Sequence, residues 1–444
     1  MKEVIMVKRK KIMAAAGCAV LALSLVILLS RPGDRGGGYN GYYAAMNNAL
    51  KDSGTAQPAI VLDLDRVDSN IARVLKVIAP PLEYRIVTKS LPSPDLLIYV
   101  MQKARTKKLM PFHLSHMRAI LEAVGPGLDM LPGRPFPVAA LAGFYDSLPP
   151  SLKKEALKSV QWLVDSQERL GEYRAFAERR GIALRINLEI DVGLHRGGAR
   201  SNEELGRMLQ IIADSSGRLV FSGLMGYDGH VAHVPLYIGS KERAIRKEFA
   251  KSMARYEEFV QYGRKAYPAL FREDLTFNSG GSKTCALYNR TLPVNDIAAG
   301  SCLVMPSTFD VFTLAEHLPA LFIAAPVLKI LDGYGVPFIE SFHSLVEWWD
   351  PNKAVTLYVS GGGWSERILA PAGISVNALT ASPPNENMLP NQSMLNGSKR
   401  VAIKTGDHVF YHPLQGDAVM QFDEIYVIRN GKITAVWKPF TARL

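Results

Sequence analysis

The sequence contains few cysteines and no arrangement of them that indicates a disulfide framework or a zinc site. Three cysteines occur in 444 residues, and none belongs to a Cys-x-x-Cys pair. Cys18 lies in an apolar run, which leaves Cys285 and Cys302 as the two that could pair in the folded part. We expect both of them to be isolated, unreactive thiols.

A long basic stretch interleaved with aromatic residues is also missing. The formal net charge is +11, but five basic residues and one acid fall in the first eleven positions. The remaining basic residues are scattered among acidic ones, and this distribution argues against nucleic-acid binding. The composition, 48% hydrophobic and 21% charged, is ordinary for a globular protein with a substantial core.

The N-terminus carries an apolar run without charge. The basic cluster at positions 8–11 is followed by 19 uncharged residues, Ile12 to Ser30, just enough for a helix to cross a bilayer. We therefore predict a membrane anchor or signal segment over residues 1–30, and favour an uncleaved anchor because no small-x-small cleavage site follows. The basic flank favours an N-in orientation, which predicts a membrane-anchored protein whose folded part lies on the periplasmic or extracytoplasmic side.

After a predicted linker and short helix at 31–57, strand-like runs alternate with amphipathic stretches over residues 58–305. This alternation predicts an α/β fold, a (β/α)₈ TIM-type barrel. The buried strand Pro58–Leu64 opens the segment and could instead join a following β domain. The eight runs are Tyr84–Thr88, Leu109–Leu114, Pro137–Leu141, Trp162–Asp165, Ala183–Ile190, Leu219–Met225, Leu275–Asn278 and Ile297–Met305.

The predicted secondary structure changes after Pro306, where short β-rich runs with proline and glycine replace the helical stretches. Asn430-Gly431 between two apolar runs is a strong hairpin signal. We predict a C-terminal β domain over residues 306–444, with Asn377 to Ser398 as a long polar loop.

Lys89 ends the first predicted barrel strand, Tyr84 to Thr88. The carboxyl ends of the strands form the face of a β/α barrel that carries chemistry. An amine placed there and partly shielded from water is suited to Schiff-base formation. A lone lysine at a strand end is more often a solvated cap, so the assignment depends on its neighbours.

Three glycine-containing segments follow later strands of the predicted barrel. They are Asp191–Gly198, Gly223–His230 and Asn278–Ser282. The last can present backbone N–H groups and hydroxyls to an anion. Together with Lys89, they bring an amine, a guanidinium, an aromatic ring with an imidazole and an anion cradle to one barrel mouth. This set is suited to holding a phosphorylated aromatic aldehyde.

The chain resembles the fold-type III pyridoxal-phosphate proteins, the D-threonine aldolase and D-serine dehydratase branch of the alanine racemase-like family. The family's opening strand, its Asn-Ile pair and its Arg-x-x-x-Lys element match Pro58 to Leu64, Asn70-Ile71, and Arg85 with Lys89. Its Asp-x-Gly-x-x-Arg-x-Gly, Tyr-x-Gly-His and Ser-Gly-Gly-Ser elements are matched within the three glycine-containing segments. The resemblance covers residues 58–305 well and the C-terminal part in outline.

The resemblance implies a role for each matched residue. Lys89 would form the internal aldimine with pyridoxal 5′-phosphate and, once released, act as the base. Arg196 would face the pyridine nitrogen, and Tyr227 and His230 would lie beside the cofactor, with His230 as a second catalytic residue. The phosphate-binding loop would consist of Ser279, Gly280, Gly281 and Ser282.

The sequence departs from the family pattern in two places. The metal-dependent branch has a His-x-Cys or His-x-Asp pair near its C-terminus, whereas alignment here places Leu414 and Gly416 at those positions. A shifted site for manganese or zinc at His412 and Asp417 stays open, against two ordinary polar residues at a strand end. The family's Gly-Ser-Tyr also appears with Cys302 in the place of the tyrosine.

The implied function is that of a pyridoxal-phosphate-dependent enzyme acting on a small, D-configured or β-hydroxy amino acid by aldolase or dehydratase (lyase) chemistry. An amino-acid racemase is the alternative among enzymes. It needs a second base, for which Tyr334 and Tyr358 are guesses. A non-catalytic pyridoxal-phosphate carrier or sensor is the alternative of another class. The resemblance also implies a homodimer.

Overall fold

The computed structural model describes residues 25–26, 28–235, 238–361, 367–377 and 391–440. The strands are β1 (Ala59–Asp63), β2 (Glu83–Val87), β3 (Lys108–Met110), β4 (Asp129–Met130), β5 (Gln161–Val164), β6 (Leu184–Glu189), β7 (Leu219–Gly226), β8 (Thr276–Ser279), β9 (Asp296–Ala299), β10 (Leu321–Asp332), β11 (Val355–Ser360), β12 (Arg367–Ala370), β13 (Ser375–Val376), β14 (Gln392–Gly397), β15 (His408–His412), β16 (Ile425–Arg429) and β17 (Lys432–Trp437).

The α-helices lie mostly between these strands. They are α1 (Gly41–Asp52), α2 (Leu64–Val77), α3 (Pro94–Ala104), α4 (Leu114–Val124), α5 (Val138–Ser147), α6 (Pro150–Ser159), α7 (Gln167–Arg180), α8 (Asn202–Ala213), α9 (Lys241–Ala266) and α10 (His343–Trp349). Their ends follow from the sequence: the hydroxyl of Ser166 accepts a hydrogen bond from the N–H of Arg169 and caps α7, and Gly181 ends it at φ 65°.

The chain forms two compact units. Residues 59–323 with 412–444 make the barrel unit, and residues up to 58 with 324–411 make the β unit. In the barrel unit, eight parallel strands follow in the order β4-β3-β2-β9-β8-β7-β6-β5. A parallel bridge between Met130 and Val160 joins the two edges of this sheet. The predicted barrel is confirmed, while the predicted domain bounds stay a prediction.

One of the eight predicted barrel strands is wrong. Pro137 to Leu141 was expected to be a strand, but α5 begins at Val138. Pro137 has a φ of −58°, which suits the start of a helix, and the alanines that follow favour helical structure. The strand in its place is β4, and its two residues are too short to show a periodic pattern.

A buried polar network fills the barrel below its carboxyl-end face. The guanidinium of Arg85 is fully buried and donates to both carboxylate oxygens of Asp296, at 2.7 and 2.9 Å. It also donates to Asp129 at 3.0 Å, and Gln161 donates to the same carboxylate from the next strand. Because these residues belong to β2, β9, β4 and β5, the network ties together strands far apart in sequence.

Strands β1, β16 and β17 of the barrel unit lie outside the eight-stranded barrel sheet. β1 pairs in parallel with β16, and β16 pairs with β17 through the hairpin at Asn430-Gly431. Asn430 has a φ of 50° and Gly431 a φ of 72°, as the tight turn requires.

The β unit is built around antiparallel strands. β11 pairs with β10 and with β14, and β14 pairs with β13. β14 lies within the segment predicted as a loop, Asn377 to Ser398, so that prediction is wrong for residues 392–397. Residues 378–390 of the same segment lie outside the described ones.

The predicted membrane attachment requires a correction. Within the described part of the chain, no helix is both long and apolar enough to cross a bilayer. The longest helix, α9, has the length but carries charged residues along its 26 positions. The prediction of a membrane-anchored, extracytoplasmic protein is therefore wrong by this finding, and most of the proposed anchor, residues 1–24 and 27, lies outside the described residues.

Candidate active site

Lys89 lies in a 3₁₀ turn, Thr88–Ser90, directly after β2. It lines a cavity of about 290 Å³ at the carboxyl ends of the barrel strands. Its ammonium lies 4.7 Å from the centroid of the Phe112 ring. Lys89 is exposed, so the expected partial shielding from water is not seen. The position is nevertheless the one that barrel enzymes use for chemistry.

An apolar layer of the barrel core lies beneath the cavity. Met110, Leu163 and Met225 belong to this layer, and they are almost completely buried. Val87, Phe112 and Tyr227 pack against it and also line the cavity. Strand and loop residues therefore share the floor of the cavity: Val87 ends β2, whereas Phe112 and Tyr227 follow the ends of β3 and β7.

The segment Ser279–Ser282 follows β8 and turns sharply at Gly280, whose φ of 90° is one that L side chains rarely adopt. The hydroxyl of Ser279 is buried and donates to the carbonyl of Gly226 at 2.5 Å. The hydroxyl of Ser282 accepts hydrogen bonds from the N–H groups of Gly300 and Cys302, each at 3.1 Å. The segment is thus tied to the ends of β7 and β9 and forms one wall of the cavity.

Asp228 is a functional candidate that the sequence reading missed. It is fully buried, and its carboxylate accepts hydrogen bonds from Thr284 at 3.0 Å and Tyr288 at 2.8 Å. Burial raises the pKa of Asp228 to about 6, although these hydrogen bonds act in the opposite direction. Asp228 occupies the unspecified position of the Tyr-x-Gly-His element, which is the signal that could have found it.

Arg196 lies at the cavity with its guanidinium 5.0 Å from the centroid of the Tyr227 ring. Its Nη2 donates to Glu189 Oε1 at 3.1 Å, and the side chain of Arg196 is 49% exposed while that of Glu189 is 5% exposed. Burial raises the pKa of Glu189, and the nearby Arg196 acts to lower it. The carboxylate of Glu189 therefore holds the guanidinium in place.

The turn that carries Arg196 is organised by Asp191. Its carboxylate accepts hydrogen bonds from the N–H groups of Gly193 and His195, at 2.9 and 3.0 Å. The imidazole Nδ1 of His195 lies 2.7 Å from the same carboxylate, and His195 adopts a left-handed φ of 58°. Burial acts to raise the pKa of Asp191, but the hydrogen bonds from His195 and Gly193 lower it on balance.

His230 does not line the cavity. Its Nε2 lies 3.3 Å from the hydroxyl of Ser252 and 3.9 Å from Glu248, both on α9. A Cβ added at Gly193 would lie 2.8 Å from the same nitrogen, so the ring packs directly on the turn that leads to Arg196. Burial lowers the pKa of His230. The catalytic role implied for it stays a prediction.

Most of the other predicted residues meet at the cavity, while two further residues there were missed. Ser279 lies beneath the wall rather than in it, and His233 and Lys283 line the cavity without having been singled out. The predicted residues that line it are Lys89, Arg196, Tyr227, Gly280, Gly281 and Ser282.

The predicted metal pair finds little support in the geometry. Nε2 of His412 donates to the carbonyl of Met305 at 2.7 Å, so this nitrogen is engaged. A Cβ added at Gly416 would lie 2.5 Å from the carbonyl oxygen of Ser90, which leaves no room for a ligand side chain there. Among the described residues, no group of three or more His, Cys, Asp or Glu side chains could hold a metal ion. The site at His412 and Asp417 stays a prediction.

Comparisons with known proteins agree with this architecture. The family described as "Alanine racemase, N-terminal domain" matches residues 62–307. Since this is more than half of the chain, the protein belongs to that family, the fold-type III pyridoxal-phosphate enzymes. A search of curated proteins finds no match.

Solved structures with the same fold are similar over most of their length. D-threo-3-hydroxyaspartate dehydratase from Delftia sp. HT23 is 17% identical, with a TM-score of 0.63 over 86% of this chain and 97% of that one. D-threonine aldolase from Filomicrobium marinum is 16% identical, with a TM-score of 0.63 over 87% and 98%. Alanine racemase from Bacillus anthracis is 14% identical, with a TM-score of 0.61 over 86% and 98%. At these identities the likeness shows the fold.

The cofactor of this enzyme class is pyridoxal 5′-phosphate, and the cavity residues fit it. The cofactor has an aldehyde, an aromatic ring with one nitrogen, and a phosphate. The cavity offers an amine, a guanidinium held beside an aromatic ring, and a glycine-serine turn at its wall. A side chain at Gly281 would crowd the Tyr227 ring at 3.1 Å, so the glycine keeps that part of the cavity open.

Proposed function

We propose that this protein is a pyridoxal-phosphate-dependent lyase, of aldolase or dehydratase type, acting on a small D-configured or β-hydroxy amino acid. The observation that carries the proposal is one cavity that gathers the amine of Lys89, the guanidinium of Arg196 and the turn residues Gly280 to Ser282. Each element alone is common, but their convergence at the carboxyl-end face of a barrel is specific.

Lys89 has two tasks in this proposal. It attaches the cofactor, which when bound withdraws electrons from the bonds at the substrate's Cα. When it is not attached to the cofactor, the Nζ of Lys89 would be placed to move a proton at Cα or at the departing group. The Phe112 ring lies 4.7 Å from this amine and lines the same cavity, which supports the placement of Lys89 beside a bound ligand.

Arg196 would set how strongly the cofactor, when bound, draws electrons, because the resemblance implies that its guanidinium faces the ring nitrogen. A guanidinium has donors only, so a ring nitrogen facing it must accept the hydrogen bond and stays unprotonated. An unprotonated ring is the weaker electron sink, which restricts the enzyme to reactions that need modest stabilisation of negative charge. Glu189 supports this role because it fixes the orientation of the guanidinium.

The turn at Ser279–Ser282 would hold the phosphate. Gly280, Gly281 and Ser282 line the cavity, and the φ of 90° at Gly280 turns the chain sharply there. The hydrogen bonds of Ser282 to Gly300 and Cys302 join this turn to the end of β9, so both strand ends would contribute to the same site. These residues would hold the phosphate, while Lys89 lines the same cavity.

A racemase is the alternative, supported by the family that matches residues 62–307 and by the alanine racemases among the structures of similar fold. A racemase needs a second proton donor on the other face of Cα. The guesses made for it, Tyr334 and Tyr358, belong to the β unit and leave this point unsupported. A carrier or sensor would keep Lys89 and the phosphate site without turnover.

The first experiment tests the bond to Lys89. The purified protein is saturated with pyridoxal phosphate, reduced with borohydride, digested and mapped by mass spectrometry. We expect a pyridoxyl adduct on the peptide that contains Lys89, and none on that peptide in Lys89→Ala. Lys103→Ala is the control: it removes a different lysine and should keep the adduct on the peptide that contains Lys89. An unmodified Lys89 peptide from saturated protein would end the proposal.

The second experiment separates lyase, racemase and carrier. The loaded protein is incubated with D- and L-forms of serine, threonine, 3-hydroxyaspartate and alanine. Aldolase chemistry yields glycine with an aldehyde, and dehydratase chemistry yields a keto acid with ammonia. Inverted amino acid without these products would support the racemase. A spectral shift without any product would support the carrier.

The metal and the subunit arrangement are tested with the same material. We expect chelation to leave activity unchanged, because Nε2 of His412 is engaged with Met305. Loss of activity that manganese or zinc restores would support the pair His412 and Asp417. We also propose a homodimer, as the resemblance implies, and sedimentation of the loaded protein as a monomer at assay concentration would contradict it.

A further inference from the structure

Lys283 brings a second ammonium into the cavity wall, one residue beyond the turn at Ser279–Ser282. Its Nζ lies 3.5 Å from Nε2 of His233 and 4.9 Å from the centroid of the Phe309 ring. An ammonium has donors only, so in this contact Nε2 of His233 has to be the acceptor. His233 therefore orients the ammonium without supplying a negative charge.

The ammonium of Lys283 has no carboxylate partner among the residues that the structure describes. Burial lowers the pKa of Lys283, and no acidic side chain acts against this effect. Asp228, the acidic residue of the same cavity wall, is engaged by Thr284 and Tyr288. A half-buried cation without a counter-charge is stabilised by an anionic ligand.

A series of contacts connects the cavity wall at Lys283 with Ser90, the residue that follows Lys89. The ring beneath the ammonium belongs to Phe309, and the preceding Thr308 accepts a hydrogen bond from the side chain of Gln415 at 3.1 Å. Gln415 lines the cavity, and the next residue, Gly416, packs against the backbone of Ser90. The ammonium thus lies on a wall that reaches from the phosphate turn to the reactive end.

We propose that Lys283, oriented by His233, is an additional oxyanion-binding residue of this cavity. The inference rests on the proposed function and deepens it. The oxygen atoms bound there would belong either to the second carboxylate of an acidic amino-acid substrate or to the phosphate of the cofactor. An ammonium binds the oxygen atoms of a carboxylate and of a phosphate in the same way. If the bound oxygen atoms belong to the carboxylate, the substrate is an acidic amino acid.

The test compares Lys283→Met, Lys283→Arg and the control Lys103→Met. Lys103 lies on α3, pairs with Asp68 and is half exposed, so its loss removes the same charge away from the cavity. Binding of pyridoxal phosphate and of pyridoxal is measured by absorbance. Binding of aspartate and of asparagine, both enantiomers, is measured by spectral titration of the loaded protein.

In each pair of ligands, one member carries the anionic group and the other lacks it. We expect Lys283→Met to weaken the binding of one anionic member by roughly tenfold or more, as for the loss of a charge-assisted hydrogen bond. If pyridoxal phosphate binds more weakly while the binding of pyridoxal is unchanged, the ammonium binds the phosphate. If aspartate binds more weakly while the binding of asparagine is unchanged, the ammonium binds the side-chain carboxylate of the substrate. Lys283→Arg should retain most of the affinity. Equal binding by Lys283→Met and Lys103→Met in both pairs would overturn the proposal.

A third measurement separates failure of this inference from failure of the proposed function. Inorganic phosphate and succinate are titrated calorimetrically into Lys89→Ala protein, with and without Lys283→Met. A site at Lys283 binds one of these anions even when no covalent attachment at Lys89 exists. If no Lys89 adduct forms but anion binding depends on Lys283, the proposed enzyme function is refuted and the oxyanion site is retained. Anion binding indifferent to Lys283 would refute the oxyanion site.

Discussion

Asp228 holds Thr284 in place from a fully buried position, with 3.0 Å between the carboxylate and the hydroxyl that donates to it. The hydroxyl of Thr284 in turn accepts the N–H of Gly281 at 3.2 Å. A single buried carboxylate therefore fixes the end of the turn that would hold the phosphate.

Asp228→Asn should change the pH dependence of stability. Burial raises the pKa of Asp228 from 3.8 to about 6, so its contribution to stability is fully present below pH 3.8 and is lost as the pH rises through 6. The stability of the wild type relative to Asp228→Asn should therefore fall across this window, by on the order of 1–3 kcal/mol. Urea unfolding of both proteins without cofactor, at several pH values between 4 and 7, measures the difference. A difference that is flat with pH would contradict the burial of a titrating carboxyl.

Gly280→Ala should weaken cofactor binding, and Gly217→Ala should not. Both glycines have positive φ, 90° and 78°, so each substitution strains the backbone by about 1–2 kcal/mol. A Cβ at Gly280 also meets Ile297 at 3.0 Å, whereas nothing lies within 4 Å at Gly217. We expect both variants to lose melting temperature, Gly280→Ala the more of the two because of this contact, and we expect roughly tenfold weaker binding of pyridoxal phosphate in Gly280→Ala alone. Equal affinities would show that the turn does not hold the phosphate.

Arg85→Met should destabilise the barrel strongly. The substitution leaves the buried carboxylate of Asp296 without its main partner, and breaking a buried ion pair costs about 3–5 kcal/mol. Arg118→Met is the control, because Arg118 forms an exposed pair with Glu122 and its loss should stay within about 0.5 kcal/mol. Denaturant unfolding compares the two variants. Equal stabilities would mean that the interior network tolerates loss of its cation.

Gly416→Ala and Gly143→Ala should shift stability in opposite directions. A Cβ at Gly416 would lie 2.5 Å from the carbonyl oxygen of Ser90, and such overpacking typically costs about 1–3 kcal/mol. Gly143 lies inside α5 with nothing within 4 Å, so alanine there should stabilise by about 0.5–1 kcal/mol. Because Ser90 adjoins Lys89, Gly416→Ala should also weaken cofactor binding. Thermal unfolding and absorbance titration test both points, and a stabilised Gly416→Ala would contradict the packing.

The barrel could be predicted because its strands alternate with amphipathic helices, and each such pattern is local. The same reasoning failed at Pro137 to Leu141, where a short apolar run suits a strand and a helix equally. It also missed β4, because two residues carry no periodicity. Contacts across the closed sheet decided both segments.

The site could be predicted in part. Lys89, Arg196 and Gly280 line one cavity, and the sequence could indicate them because a motif places each of them after a strand. His230 belongs to the same kind of motif, yet its ring packs behind the turn at Gly193 and not in the cavity. Lys283 was missed, since a lysine after a glycine-serine turn carries no signal until the wall around it is known.

By itself the sequence determined where the barrel strands lie and which of them end in an amine, a guanidinium and a glycine-rich turn, because strand periodicity and turn chemistry depend on neighbouring residues. The tertiary structure alone decided which side chains face one another. Asp228 meets Thr284 across 56 positions, and Lys283 meets His233 across 50. Only closure of the sheet brings such distant residues within hydrogen-bond distance, and burial there shifts the pKa values of Asp228 and Lys283.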